Sequence, residues 1–193
     1  PPFVSTIIAK NAPQIRLGTD AFLYEIKEQV NDTNRWGEVI SQFKMSSSAR
    51  FASVSRMERD FYTPLRAVAQ GLEDFGGEDL VGYTASFEGA MADLNEVAGR
   101  AAGGPVSPAD KAKAASTWEY GRVVLNKYLS TLNTLTGTKG PKFESIPKDT
   151  EGGSEERRER FLNFKKELAK CQQGGLGVNV CADIMQQYAN QNL

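Results

Sequence analysis

Apolar residues recur through most of the chain at steps of three and four, the spacing that places them on one face of an α-helix. One such series lies between residues 57 and 75, and others lie within 22–43, 80–97 and 118–135. The alternation typical of a half-buried strand does not extend beyond 176–180. The pattern therefore predicts an almost wholly helical protein. The clearest series consists of Met57, Phe61, Leu65, Val68, Leu72 and Phe75.

Capping and helix-breaking residues set the expected ends of these helices. The Asn-Asp-Thr-Asn run at 31–34 interrupts the first helix, because these side chains compete for backbone hydrogen bonds. Pro64 falls inside the second helix and must either kink it or begin a fresh first turn. Ser107 followed by Pro108 is typical of a helix start, and we expect Gly137 to end that helix. The expected segments are 20–43 with its break, about 49–75, about 78–102 and 107–136.

Four amphipathic segments with short connections are typical of an up-down-up-down four-helix bundle, because each apolar face needs a partner. We expect this bundle over residues 20–136. Residues 1–19 hold three prolines, two cations and no acid, and we expect an extended arm that orders on a partner. Residues 137–153 are rich in Gly and Pro, which predicts a linker or a draped loop. The expected fold class is all-α, a four-helix bundle with a small helical C-terminal extension at 154–193.

The C-terminal unit contains the chain's two cysteines. A fifth helix should begin at Ser154, and a short helix should cover roughly residues 180–190, across a glycine-rich turn. Cys171 and Cys181 lie on either side of that turn, which favours a disulfide, although two small buried thiols would fit the same positions. A disulfide would indicate an oxidising compartment.

Composition and charge exclude several classes of function. Lys plus Arg (23) nearly balance Asp plus Glu (24), so the net charge is −1 and a nucleic-acid-binding role is disfavoured. No run of about 18 apolar residues is present, so we expect no membrane span. The chain begins with Pro1-Pro2 and no initiator Met, which fits either a trimmed sequence or a mature protein that has lost a targeting peptide.

The inventory of chemical groups points away from catalysis. The chain has no histidine, which removes the commonest general base, the commonest zinc ligand and any Ser-His or Cys-His nucleophile. Neither of the glycine-rich phosphate-loop motifs is present. Chemistry based on carboxylates or lysine alone remains possible, but no spacing points to it. We expect a non-enzymatic protein with no cofactor, no metal site and no catalytic residue.

Charge is unevenly placed along the chain. Residues 69–99 carry acids and no cation, whereas residues 44–66 are mainly basic. Neighbouring helices could simply complement each other. Alternatively, the charges could form a surface that orients a partner. Under the second interpretation, the candidate partner-binding residues are Lys10, Arg16, Lys44, Arg50, Arg56, Arg59 and Arg66.

Four large aromatic residues admit a similar pair of interpretations. Trp36, Trp118, Tyr62 and Tyr128 could anchor an interface, since Trp and Tyr are enriched in binding hot spots. We expect them instead in the core or at its edge, because they lie on or beside the apolar series.

Two helix motifs resemble those of extrinsic photosystem II subunits of the PsbQ type. The motif Asp-Phe-Tyr-Thr-Pro-Leu-Arg at 60–66, followed by the acidic end at 72–74, is similar to the proline-bearing helix of that family. Residues 120–135 (YGRVVLNKYLSTLNTL) are similar to its last long helix. The expected flexible arm before a bundle also fits. The added unit at 154–193 departs from the plant pattern and is similar to the minor C-terminal domain of the diatom-type extrinsic subunit.

The resemblance implies a protein of the thylakoid lumen of a chloroplast. Such a protein docks on the photosystem core and other extrinsic subunits, stabilises the oxygen-evolving centre and helps to retain calcium and chloride. It is peripheral to a membrane complex and has no active site of its own. An alternative is a transient photosystem assembly or repair factor.

A further alternative is a secreted or periplasmic helical-bundle module, in another oxidising extracytoplasmic compartment, that holds a small apolar ligand between its helices. This predicts a cavity among Phe87, Met91, Leu125 and Leu129. The photosystem interpretations predict a filled core, and an arm that is ordered only in the complex.

Overall fold

The structure is a computed structural model that describes residues 2–45, 54–173 and the separate positions 181, 183, 184, 187 and 188. Within these residues the regular structure is helical and no strand is present, which confirms the predicted all-helical fold class. An isolated bridge joins Met45 to Ser55 at the two edges of residues 46–53. The predicted start of the second helix near residue 49 lies outside the described residues.

The chain is helical from its second residue onward. Helix α1 spans Pro2–Ala21, continues through a π-helical turn at Phe22–Ile26 and ends with α2 at Lys27–Asn31. Asp32 then leaves the helical conformation, and its carboxylate accepts a hydrogen bond from the Asn34 backbone N–H at 3.0 Å. After a 3₁₀ turn, α3 spans Trp36–Ser41. The predicted break at 31–34 is therefore confirmed.

The prediction of an extended arm at residues 1–19 is wrong, as is the predicted helix start at 19–20. Val4, Ile8, Ala12 and Ile15 follow one another at steps of four, four and three, and all are buried against the rest of the molecule. Pro2 is tolerated because the first turn of a helix has no use for its missing N–H. Burial of this apolar face stabilises α1 although the helix contains Pro2 and Pro13.

Pro64 lies in the first turn of α4, but that helix continues directly from a π-helical turn, with Tyr62 and Thr63 both in the right-handed helical conformation. A π-helical turn covers Glu58–Tyr62, and α4 follows at Thr63–Leu72 with Pro64 in its first turn. Pro64 has no N–H to donate to the carbonyl of Asp60, so the backbone hydrogen-bond pattern of the helix is irregular at this residue. That carbonyl faces Gly18 of α1, where a side-chain carbon would lie only 3.0 Å from the oxygen.

The next two helices match their predicted bounds within about one residue. Helix α5 spans Glu78–Ala101, and α6 spans Pro108–Thr136. The Ser107 hydroxyl caps α6 by accepting the backbone N–H of Asp110 at 3.1 Å. Because only six residues join them, α5 and α6 form a hairpin and pack along much of their length.

An aromatic cluster fills the centre of the core. The rings of Phe22 and Trp118 stack with centroids 5.0 Å apart, and the Trp118 indole donates a 3.0 Å hydrogen bond to the Phe22 carbonyl. Tyr128 is also buried and donates its hydroxyl to the carbonyl of Leu65 at 2.9 Å. With Trp36 buried and Tyr62 at the edge, the four aromatic residues occupy their expected positions.

Residues 137–153 drape over α6, the second of their two predicted forms. The side-chain amide of Asn133 bonds both the N–H and the carbonyl of Phe143, at 2.8 and 2.9 Å. Asn126, two turns earlier on the same helix, does the same for Ile146 at 2.7 and 2.9 Å. Phe143 and Ile146 are consequently buried in the common core. The loop is held by α6 rather than hanging free between two units.

The last described helix, α7, spans Glu155–Gln173. The Ser154 hydroxyl accepts the backbone N–H of Arg157 at 3.1 Å, so the predicted start is confirmed. Phe161 and Phe164 are buried, and Cys171 is bonded to Cys181 in a disulfide. Much of the predicted short helix at 180–190 lies outside the described residues, but the described positions within it are helical.

Candidate functional site

Arg16, one of the proposed partner-binding cations, is buried inside the molecule. Its guanidinium donates a 2.8 Å hydrogen bond to the carbonyl of Lys142 and lies 5.5 Å from the centre of the Phe143 ring. Only 8% of the residue is exposed. Its proposed role as a surface charge is therefore wrong, because α1 is a packed helix and not an arm.

Three further cations of that set pair with acids of the same chain. Arg66 contacts Glu88 of α5 and Glu58 of the π turn, each at 2.6 Å. Arg59 contacts Asp60 at 2.8 Å. Arg56 contacts Glu25 and Asp60. These pairs favour the interpretation in which neighbouring helices complement each other, since the cations are already engaged.

Arg56, two residues before the π turn at Glu58–Tyr62, pairs with Glu25 in the π turn at Phe22–Ile26. It donates to Glu25 at 2.9 Å and to Asp60 at 3.2 Å, and Lys165 of α7 lies 3.2 Å from the same Glu25 carboxylate. Burial acts to raise the pKa of Glu25, but the hydrogen bond and charge of Arg56 outweigh it, so the pKa lies below its ordinary value. Glu25 therefore connects three elements of the fold.

The remaining candidates of the set are Lys10, Lys44 and Arg50. Lys10 and Lys44 are exposed, on α1 and just after α3. Arg50 lies in residues 46–53, outside the described part of the chain. The seven candidates therefore do not assemble into one surface among the described residues.

A buried ionic joint fastens the C-terminal unit to α1. Arg157 of α7 donates to the Asp20 carboxylate at 2.6 Å and to the Ser145 carbonyl at 2.8 Å. Tyr188 donates its hydroxyl to the other carboxylate oxygen of Asp20. Burial raises the pKa of Asp20, opposed by the charge of Arg157. Sequence reasoning missed this role because it placed Asp20 at a helix start.

The turn between α4 and α5 carries exposed aromatic and acidic side chains. Gly76 adopts a left-handed conformation (φ 89°), which lets the N–H of Gly77 reach back to the Leu72 carbonyl at 2.9 Å and close α4. Between Leu72 and the turn, residues Glu73–Phe75 tighten into a 3₁₀ turn. The backbone leaves the α-helical conformation at Leu72 (φ −114°, ψ 2°), so the α-helical step no longer sets the direction of Phe75.

Phe75 was expected on the buried apolar face, and that prediction is wrong. Its side chain is 46% exposed, and it lies beside Phe3 of α1, which is 55% exposed. The two ring centroids are 5.4 Å apart. Two neighbouring aromatic rings are thus half open to solvent, although the rest of their helices is well packed.

Four exposed carboxylates flank these rings within residues 73–79. Among the described residues none of the four is within ion-pair distance of a cation. Glu78 and Asp79 begin α5, where the helix dipole favours negative charge. Glu73 and Asp74 follow the C-terminal end of α4, where the dipole disfavours it by about 0.3–1 kcal/mol per charge. We name this region the acidic aromatic surface; it consists of Phe3, Glu73, Asp74, Phe75, Glu78 and Asp79.

Phe87 and Met91, two of the residues that would line the predicted ligand cavity, lie in a part of the core that has no space for an apolar ligand. Phe87 and Met91 surround Gly121 of α6. A side-chain carbon at Gly121 would lie 3.1 Å from Met91 and from Phe22, so the space is already filled. The predicted cavity among Phe87, Met91, Leu125 and Leu129 is contradicted at this point.

Two general properties complete the description of the site. In the described part of the chain, the potential metal-ligating side chains do not form groups of three or more. None of the helices in these segments has the length and apolar content needed to cross a bilayer.

Comparison with known proteins found no family model, no curated protein and no solved structure that matches this chain.

Proposed function

We propose that this chain is a non-catalytic extrinsic subunit that docks on the lumenal side of photosystem II and stabilises the oxygen-evolving centre. The observation that carries the proposal is the acidic aromatic surface, where exposed rings and unpaired carboxylates meet at one end of the helices. Exposed apolar groups rimmed by polar ones are typical of protein-binding surfaces.

The helical arrangement supports the proposal. The long helical stretches 2–31, 56–75, 78–101 and 108–136 are the four that we assign to an up-down-up-down bundle. This assignment shifts the first helix from the expected 20–43 to the region of the expected arm. The bundle thereby keeps the motifs at 60–66 and 120–135 that resemble the PsbQ type, but loses the flexible arm as a point of likeness.

The disulfide supports an extracytoplasmic, oxidising location, for which we propose the thylakoid lumen. Cys171 and Cys181 are bonded across residues 172–180. Disulfides persist chiefly in oxidising compartments.

Reconstitution tests this function. Photosystem II membranes are stripped of their extrinsic proteins by a high-salt wash and mixed with the purified chain, and binding and oxygen evolution are measured. We expect saturable binding, release by high salt and partial recovery of oxygen evolution. A chain that stays in the supernatant at low salt overturns the proposal. Binding only to inactive, partly assembled complexes would indicate the assembly or repair factor instead.

A further inference from the structure

We propose that the acidic aromatic surface receives a lysine- or arginine-rich segment whose one apolar side chain packs against Phe3 and Phe75. The identity of the partner as a lumenal photosystem protein rests on the proposed function. The chemistry of the segment rests on the surface itself, in three steps.

The first step is the exposed ring pair. Phe3 and Phe75 come from different helices and are each about half exposed, and their ring centroids lie 5.4 Å apart. An apolar side chain placed against both rings would remove apolar surface from water and extend the contact. This supplies the apolar anchor of the interface.

The second step is the position of Glu73 and Asp74. Both stand at the helix end where the backbone dipole opposes negative charge, and no cation of the described residues lies within ion-pair distance. Neither contributes to the stability of the free chain in any contact that the structure shows. Residues that lower stability where they stand, with no contact that offsets the loss, are typical of functional surfaces. A cationic partner would supply the missing compensation.

The third step is the contrast with the other acids of the chain. Glu25, Glu58, Asp60 and Glu88 are all engaged by arginines within 2.9 Å. The carboxylates at 73–79 are exposed and remain available. These four acids are therefore paired within the fold, whereas the four carboxylates at 73–79 lie close together in the chain without a paired cation among the described residues.

The sign of the charge selects the partner. A second copy of the chain would bring the same carboxylates face to face, which like charges disfavour. Anionic lipid headgroups and nucleic acids are disfavoured for the same reason. A basic protein segment with an apolar side chain complements both properties of the surface.

The test compares the wild-type chain with three variants on salt-stripped photosystem II membranes. The double variant Glu73→Gln/Asp74→Asn removes charge from the surface while retaining side-chain size. The control Asp93→Asn/Glu151→Gln removes the same charge at two exposed acids elsewhere. Phe75→Ser removes the ring. Binding is measured against salt concentration, and the urea midpoint of each free chain is recorded.

We expect the double variant to bind roughly tenfold more weakly at low salt, with a shallower salt dependence. Its urea midpoint should be unchanged or higher, because unfavourable charges are removed from the end of α4. Phe75→Ser should weaken binding while the salt dependence stays as in the wild type. The control should bind as the wild type does.

Equal binding of the wild type and the double variant overturns this surface but leaves the proposed function intact. A loss of binding by the double variant together with a lowered urea midpoint also overturns it, since the acids would then act on folding. If the wild-type chain does not bind the membranes at all, the proposed function fails and this inference fails with it.

Discussion

At the scale of single residues, the Asp20 carboxylate is the group on which the C-terminal unit depends most. One carboxylate oxygen accepts a hydrogen bond from Arg157 of α7, and the other accepts one from the Tyr188 hydroxyl. Asp20 and Arg157 are each only 4% exposed. A buried ion pair adds little net stability, but removing one partner leaves the other charged and without compensation.

Asp20→Ala should therefore lower the free energy of unfolding by about 3–5 kcal/mol, because Arg157 would remain buried without its carboxylate. Tyr188→Phe removes only the hydroxyl and should lower it by about 1.5–3 kcal/mol. Urea unfolding followed by circular dichroism measures both. Asp93→Asn, at an exposed acid, should stay within about 0.5 kcal/mol of the wild type. An Asp20 variant as stable as that control would show that the joint does not hold the unit.

Glu25 should make the stability of the fold sensitive to acid. Its folded pKa lies below the ordinary value of 4.5, because hydrogen bonding and charge attraction from Arg56 outweigh the effect of burial. For a carboxyl group with a lowered pKa, the stabilisation is complete above 4.5 and is lost as the pH falls through the folded pKa. The free energy of unfolding should therefore fall below pH 4.5, and less steeply in Glu25→Gln. Identical pH profiles for the two chains would contradict this.

At the scale of elements, α1 decides the shape of the fold. An extended arm would leave Ile8 in solvent, whereas in α1 the side chain is fully buried. Ile8→Ala should lower the free energy of unfolding by about 2–5 kcal/mol, measured by urea denaturation. The exposed neighbour Ser5→Ala is the matched control and should have little effect. A change in the free energy of unfolding below about 0.5 kcal/mol for Ile8→Ala would contradict the packed helix and favour an extended arm.

The draped loop offers a second test at this scale. Asn126→Ala and Asn133→Ala each free the N–H and the carbonyl of one loop residue, Ile146 or Phe143. Each should lower the free energy of unfolding by about 1–3 kcal/mol and increase amide hydrogen exchange within the loop. Asn163→Ala, at an exposed position on α7, is the control. Unchanged exchange in 142–147 would mean that the loop is held by other contacts.

The sequence predicts the helices wherever an apolar series coincides with clear caps. Residues 78–102 and 107–136 meet this condition, with Gly76-Gly77 before the first and Ser107-Pro108 before the second, and both helices are found there. The residues that would line a partner surface are harder to predict, because whether a cation is free depends on which acids the tertiary packing brings near it.

The errors at α1 and Phe75 have specific physical causes. The series Val4, Ile8, Ala12 and Ile15 has helical spacing, whereas the prolines among residues 1–19 are typical of an extended segment. Spacing also places Phe75 on the buried face of α4, but the α-helical geometry on which that spacing depends ends at Leu72. The contact between Phe3 and Phe75 depends both on α1 being a helix and on Phe75 facing outward. The acidic aromatic surface could therefore not be predicted, although its acids are visible in the sequence.

At the scale of the whole molecule, one hydrophobic core includes residues from α1, the draped loop and α7. The expected boundaries at 19, 136 and 154 therefore do not separate independent cores among the described residues. A rigid scaffold of this kind presents its surfaces in fixed positions, which favours docking without a large loss of conformational entropy. The acidic aromatic surface lies where α1, α4 and α5 meet, so its position is fixed by the packing of these helices.

Site-specific crosslinking at Phe75 tests the account most directly. A photoreactive phenylalanine analogue is placed at position 75 of the full-length chain, and at Tyr120 as an equally exposed aromatic control on α6. Both chains are bound to photosystem II membranes and irradiated, and the crosslinked peptides are sequenced by mass spectrometry. We predict a crosslink from position 75 to a Lys- or Arg-rich lumenal segment and none from position 120. Crosslinks from position 120 alone, or from position 75 to an acidic segment, would contradict the account.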